Sequence, residues 1–176
     1  RGIPPDVLEG FKEWLGALFE IETYPLVDPD PGEDFESFCA GKMSKSGPDP
    51  VVGLLGLEAG ALFVLKGRRK TSARMMPLGG SAIYRQQGVC LLQHQVVENV
   101  LGSPREGVDL AYTHNAQDAQ DRLWAGEYQL AFLLSPMDVS VIKHIADGGE
   151  RLPGKSTYFY PKLPTGLAIH RLVGKL

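Results

Sequence analysis

The sequence has little cysteine, little net charge and no long apolar run, and each shortage excludes a class of protein. Its two cysteines, Cys39 and Cys90, are too few for a disulfide framework or a four-thiolate zinc site, so we expect buried thiols in a reducing compartment. A net charge of −3 provides no general attraction for nucleic acid or anionic membranes. The most apolar stretch, 51–65, contains Glu58 and three glycines, which argues against a membrane span.

Glycine and proline are plentiful, with 21 and 13 residues, and they predict many turns and short elements. The chain has 176 residues, of which 43% are hydrophobic and 22% charged, as is typical of a soluble globular domain. It begins with Arg1 instead of Met. We therefore expect a cytoplasmic piece of a longer protein.

Hydrophobic periodicity predicts alternating helices and strands. Helices are expected over 4–18, 35–43, 89–101, 115–126 and 135–147, and strands over 19–27, 51–57, 61–66, 108–113, 129–134, 157–160 and 167–172. Asn115 can cap one helix, and Ser135, followed by Pro136 and Asp138, resembles a capped start of another. The order predicts a mixed α/β fold, a two-layer sandwich with a mixed sheet and a β-α-β-α-β second half.

The domain prediction is one α/β domain over 1–176, with a possible division into 1–66 and 89–176 around the loop 67–88. The basic part of that loop lacks apolar periodicity and is expected to be mobile. Lys66, Arg74 and the basic residues between them could contact phosphate, although no aromatic residue interleaves them. A solvated loop is the simpler interpretation of this cluster.

The segment 155–162 has the most unusual chemistry, with two amines and four hydroxyls in eight residues. An amine beside hydroxyl donors suits a phosphate or a carboxylate, whereas an ordinary sheet strand is the simpler alternative. The candidate ligand-binding residues there are Lys155, Ser156, Thr157, Tyr158, Tyr160 and Lys162. His114 joins them because it ends a predicted strand, where α/β sheets often place functional groups.

Other motifs are weak. Residues 149–156 match the letters of a phosphate-binding loop, but a helix is predicted before them and none after, the reverse of what that loop needs. The acidic turn 28–34 does not have EF-hand spacing. His94 and Glu98 are spaced as a helix ion pair, and His144 and Asp147 share a helix without a third ligand nearby. We predict no metal site, and assign no catalytic residue and no cofactor.

The run Gly-Lys-Ser-Thr-Tyr-Phe-Tyr-Pro-Lys-Leu-Pro-Thr-Gly-Leu at 154–167 closely resembles the C-terminal signature of a prokaryotic family, domain of unknown function 1015. His94 in a helix, the strand ending at His114 and the apolar run 131–134 also fit, so the resemblance covers about 89–170 well and 1–88 loosely. Gly154 departs from the proline usual in that family.

The resemblance implies a two-part protein of which this chain is the C-terminal part. Full-length relatives carry an N-terminal half that contains Gly-His-His-Arg and resembles the ParB-like and sulfiredoxin superfamily. Here the only His-Arg pair is His170-Arg171. The expected partner is therefore that N-terminal half, and a homodimer is possible.

Three functional hypotheses remain. In the first, 155–162 lines a cleft shared with the N-terminal half and contacts the anionic group of a small molecule or nucleotide; Lys155 and Lys162 supply charge there. In the second, the chain is a non-enzymatic interaction or dimerisation module anchored by Tyr158, Phe159 and Tyr160. The third, association with nucleic acid in a partition-type protein, is the weakest because acidic residues dominate. Whether the protein is an enzyme stays open.

Overall fold

The computed structural model describes residues 2–26, 34–44, 49–68, 80–102 and 104–158. Its helices are α1 (Pro5–Leu18), α2 (Phe35–Lys42), α3 (Ala82–Arg85), α4 (Gly88–Leu91), α5 (Ala116–Trp124) and α6 (Val139–Asp147), and α4 continues into a π-helix, Leu92–Glu98. The strands are β1 (Phe19–Pro25), β2 (Val51–Leu55), β3 (Ala61–Gly67) and β4 (Ala131–Leu134). The predicted mixed α/β class is confirmed.

The four strands form one sheet in the order β1-β3-β2-β4. Strands β2 and β3 form the predicted hairpin, in which Leu54 lies opposite Phe63. Strand β4 extends the sheet beyond β2 and places Phe132 on the other side of Leu54. All three strand pairings in the described residues are antiparallel, so the expectation of a mixed sheet is corrected.

Helices cover both faces of the sheet, because β2 and β3 alternate apolar side chains toward two separate cores. On one face, the buried residues from helices are Phe11, Leu15 and Leu18 of α1, Tyr84 of α3, Cys90 and Leu91 of α4, Val96 of the π-helix and Ile145 of α6. On the other face, Cys39 of α2 and Leu123 of α5 pack against Leu62 and Val64. The fold thus has three layers where two were expected.

The predicted strand 108–113 is a turn followed by irregular chain. The carbonyl of Arg105 accepts hydrogen bonds from the amides of Val108, Asp109 and Leu110, and this closes the backbone into a turn that cannot join a sheet. Thr157 and Tyr158 are not in a strand either. Within the described residues, the second half is therefore α-β-α after the π-helix.

Of the two helix caps predicted from the sequence, one is confirmed and one is wrong. The Asn115 side chain accepts a hydrogen bond from the Asp118 amide at 3.1 Å, and it caps α5 as expected. Helix α6 begins only at Val139, and Asp138 caps it by accepting from the Ser140 amide at 2.7 Å. The expectation that Ser135 caps this helix is wrong, because residues 135–137 form an irregular connection between β4 and α6.

Candidate functional site

A cleft of ≈ 1960 Å³ runs along β4. Its walls include β4 and the start of α6, the loop that precedes α5, and the segment 154–158. Five of the seven candidate residues predicted from the sequence line it: His114, Lys155, Ser156, Thr157 and Tyr158. The other two, Tyr160 and Lys162, lie outside the described residues.

His114 and Tyr158 stack on one another. Their ring centroids are 4.8 Å apart and their planes differ by only 3°, a parallel arrangement that aromatic rings favour when they are offset. Both residues are exposed, Tyr158 by 55%, and both line the cleft. The pair therefore presents a flat aromatic surface on which a planar ligand can stack.

Lys155, three residues before Tyr158 and also in the lining of the cleft, has an unusual backbone conformation. Its φ is +61°, the one non-glycine residue in the left-handed region among the residues described. Residues other than glycine, asparagine and aspartate seldom adopt this conformation, which costs about 1 kcal/mol or more. Its Nζ lies 3.6 Å from Glu106 Oε1, and the two side chains are 60% and 62% exposed.

Ser156 and Thr157 continue the same wall. The Ser156 hydroxyl donates a hydrogen bond to the carbonyl of Pro153 at 2.5 Å, and this bond holds the turn that carries Lys155. Thr157 is exposed along the cleft. Ser156 is thus a positioning group for the turn, whereas Thr157 can contact a ligand.

Tyr112 is a further polar aromatic residue of the cleft. It is 47% exposed, and burial of its hydroxyl, followed by the negative charge of Glu106, raises its pKa. Tyr112 is close to His114 in the sequence, but no sequence pattern indicates that Glu106 both raises the pKa of Tyr112 and pairs with Lys155. That relationship arises from the turn at 105–110.

An apolar wall completes the cleft. Leu134 at the end of β4 is 40% exposed and Val139 at the start of α6 is 67% exposed, and both line the cleft with Tyr112 and Tyr158. Exposed large apolar side chains grouped in one cleft are typical of a ligand-binding or protein-binding surface.

Away from the cleft, Tyr84, His94 and Glu98 form a hydrogen-bonded relay. The Tyr84 hydroxyl lies 3.0 Å from His94 Nε2, and His94 Nδ1 lies 2.9 Å from Glu98 Oε2. The predicted His94–Glu98 pair is confirmed, but nothing in the sequence indicated that Tyr84 would join it. The contact links α3 to the π-helix, and π-helices are often found at functional sites.

The chemistry of the relay is that of a structural contact. Burial, followed by the Cys90 side chain and then by the carboxylates of Glu98 and Glu150, raises the pKa of Tyr84 to about 12, so the hydroxyl stays protonated. Burial acts to raise the pKa of Glu98 too, but hydrogen bonds from His94 and Gln93 outweigh it and the pKa lies below its usual value. Tyr84 also hydrogen-bonds the Cys90 thiol, which is fully buried.

The remaining candidate motifs contribute no site. The segment 149–156 follows α6, and no helix begins before Tyr158, as expected for a chance match to a phosphate-binding loop. Most of the basic cluster lies outside the described residues, and Lys66 pairs with Glu22 at 2.6 Å. His144 and Asp147 line a smaller cavity together with Ser81 and Glu150.

The described ranges contain neither a cluster of metal-ligating side chains nor a membrane-spanning helix. No three His, Cys, Asp or Glu side chains there are placed to hold a metal ion. In the same part of the chain, no helix has the length and apolar character needed to cross a membrane. Both cysteines are buried free thiols, as their small number predicts.

Comparison with known proteins finds no matching family model, curated protein or solved structure. The resemblance of residues 89–170 to domain of unknown function 1015 therefore stays a prediction, as does the N-terminal partner that it implies.

Proposed function

We propose that the cleft along β4 binds a small molecule that carries a planar ring and an anionic group. The ring stacks on the His114–Tyr158 pair, and the anion contacts Lys155 and Thr157. The single observation that carries the proposal is the parallel contact of His114 and Tyr158, at 4.8 Å between centroids, on the wall that also holds Lys155.

The position of Lys155 supports an anion contact. Strained backbone persists where the surrounding structure enforces it, and it clusters at ligand-binding sites. Here a lysine on the cleft wall that carries the aromatic pair keeps the left-handed conformation, although glycine at 155 would remove the strain. An ammonium group near a hydroxyl is a typical pair of ligands for phosphate or carboxylate.

The apolar wall supports a ring-bearing ligand over a bare ion. Ligand sites are mostly apolar, with a few polar groups that set orientation, and Leu134 and Val139 provide exposed apolar surface in this cleft. If the chain is the C-terminal part of a two-part protein, the N-terminal half supplies the opposite wall, in line with the resemblance.

The proposal can be tested with a panel of ring compounds that carry an anionic group: phenyl phosphate, AMP and the zwitterionic aromatic amino acids, with inorganic phosphate as the ring-free probe. A ligand that binds the native state raises its melting temperature by mass action. We expect at least one ring-bearing probe to stabilise the protein and inorganic phosphate to have little effect. Tyr158→Leu and Lys155→Gln should each lower the affinity for the probe that binds about fivefold.

Lys143→Gln is the matched control. Lys143 is an exposed lysine that pairs with an exposed carboxylate, Asp147, just as Lys155 pairs with Glu106, but it lies outside the cleft walls. Its substitution should leave the affinity unchanged. Equal weakening by both lysine variants, or no stabilisation by any probe, would contradict the proposal.

A second candidate function is a protein-interaction module. The same exposed apolar residues, Tyr112, Leu134, Val139 and Tyr158, could bind another protein or a second copy of the chain. Sedimentation equilibrium over a hundredfold range of concentration tests this function. A dimer that dissociates in the Val139→Asp variant would favour it, and a monomer throughout would exclude the homodimer.

A further inference from the structure

We infer that Glu106 makes the cleft selective for a zwitterionic ring compound, one with a cationic amine close to its anionic group. The inference rests on the proposed function, because it concerns the ligand of that same site. It starts from the open ion pair between Glu106 Oε1 and Lys155 Nζ, which are 3.6 Å apart.

The two charges face each other without a close hydrogen bond. A separation of 3.6 Å exceeds the usual 2.7–3.2 Å range for a nitrogen donor and an oxygen acceptor. By contrast, the neighbouring Arg105–Asp109 pair is joined by two hydrogen bonds. Arg105 Nε donates to Asp109 Oδ2 at 2.8 Å, and Arg105 Nη2 donates to Asp109 Oδ1 at 3.3 Å. The Glu106–Lys155 pair is thus the looser of the two and the easier for a ligand to separate.

The charge of Glu106 also reaches the cleft itself. It acts on the hydroxyl of Tyr112 and contributes to the raised pKa of that group, and Tyr112 lines the cleft together with Lys155. A ligand anion bound to Lys155 therefore lies close to a carboxylate. Because like charges repel, a simple anion loses part of what it gains from the lysine.

A zwitterion avoids this loss. Its anionic group replaces Glu106 at Lys155, and its amine then pairs with the released Glu106 carboxylate, so every charge keeps an opposite partner. Both side chains are mostly solvated, so the effect is moderate and weakens with salt. We expect the amine to improve affinity about fivefold at low ionic strength.

Three indole compounds separate the contributions: L-tryptophan carries both charges, indole-3-propionate lacks the amine, and tryptamine lacks the carboxylate. Dissociation constants are measured by NMR titration of the full chain at 20 mM and 300 mM salt, following the His114 ring signals. L-Tryptophan should bind about fivefold more tightly than either single-charge compound at low salt. The difference should shrink at high salt.

The variants Glu106→Gln and Lys155→Gln assign the two charges. Glu106→Gln should bring indole-3-propionate to the affinity of L-tryptophan, and Lys155→Gln should do the same for tryptamine. Lys143→Gln should preserve the order of the three compounds. Unchanged folding of each variant is checked by its native NMR spectrum.

The outcomes separate this inference from the proposed function. If indole-3-propionate or phenyl phosphate binds as tightly as L-tryptophan, or more tightly, the inference is wrong and the proposed function stands. If L-tryptophan keeps its advantage in Glu106→Gln, the carboxylate is not the cause and the inference is again wrong. If no ring-bearing compound binds, both fail.

Discussion

The imidazole of His114 lies flat against the phenol ring of Tyr158, with the ring centroids 4.8 Å apart. This contact joins the loop before α5 to the segment after α6, two parts of the chain that share no strand pairing. It places Lys155, three residues before Tyr158, along the cleft that β4 and the start of α6 also line.

The stacked pair should be energetically coupled. In a double-mutant cycle of His114→Ala and Tyr158→Leu, measured by urea unfolding, we expect a coupling free energy of about 1 kcal/mol. Tyr158→Phe keeps the ring and should keep the coupling. The His114 ring protons should also lose their ring-current shift in Tyr158→Leu; a coupling near zero together with unchanged shifts would argue against the contact.

Replacing Lys155 by glycine should stabilise the fold. The residue has a φ of +61°, which glycine adopts without strain, so the free energy of unfolding should rise by about 1 kcal/mol. Lys143→Gly, inside helix α6, should have the opposite effect and cost about 1 kcal/mol. Loss of stability in Lys155→Gly would show that the lysine side chain, and not its backbone strain, dominates at this position.

Glu98 should stabilise the protein at neutral pH and not in acid. Its pKa in the folded state lies below the usual value because hydrogen bonds from His94 and Gln93 outweigh burial. Its stabilisation is therefore complete above the unfolded pKa of about 4.3 and is lost as the pH falls through the folded pKa.

Urea unfolding of wild type and Glu98→Gln at pH 7, 5, 4 and 3 measures this contribution. The two proteins should differ at pH 7 and converge toward pH 3. Glu9→Gln, which removes an exposed carboxylate of α1, should change the midpoint little at any of these values. A difference that grows in acid would have the wrong sign.

Both cysteine thiols should be unreactive in the native protein. Burial raises the pKa of Cys39 to about 11 and that of Cys90 to about 12, and the thiolate is the reactive form. A disulfide-exchange reagent such as DTNB should label neither residue at pH 8 without denaturant and both in 6 M guanidinium. Rapid native labelling of Cys90 would contradict its packing among α3, α4 and the π-helix.

Gly56 should tolerate no side chain. It has a φ of +93°, and a Cβ there would lie 2.2 Å from the carbonyl oxygen of Gln129. Gly56→Ala is expected to lower the free energy of unfolding by about 3 kcal/mol, because strain and a backbone clash add. Gly60→Ala is the control: its φ is +70° but nothing lies within 4 Å, so it should lose only about 1 kcal/mol.

Much of the secondary structure follows from the sequence alone. Helix α1 buries Phe11, Leu15 and Leu18 at the helical spacing that predicts it, and the β2–β3 hairpin follows from two apolar runs with a glycine-containing turn between them. The sequence also identifies the segment after Gly154 as a candidate binding segment, because hydroxyls and amines are concentrated there. These features are local, and local propensity and spacing suffice to predict them.

The errors lie where local signals compete with hydrogen bonds that the sequence does not show. The run 108–113 alternates like a strand, yet the Arg105 carbonyl closes it into a turn. Ser135 resembles a helix cap, yet Asp138 takes that position. In both cases a neighbouring group forms the stronger local contact, and periodicity alone cannot rank the two.

Composition and local periodicity predict the class of fold and most of the helices and strands, and five candidate residues named from the sequence line the cleft. Only the packing of the whole chain brings helices to both faces of the sheet, pairs β4 with β2, and brings His114 to Tyr158 and Glu106 to Lys155. Each of these relationships joins residues far apart in the chain. Such contacts depend on how complete elements pack, and a pattern within one element carries no information about that packing.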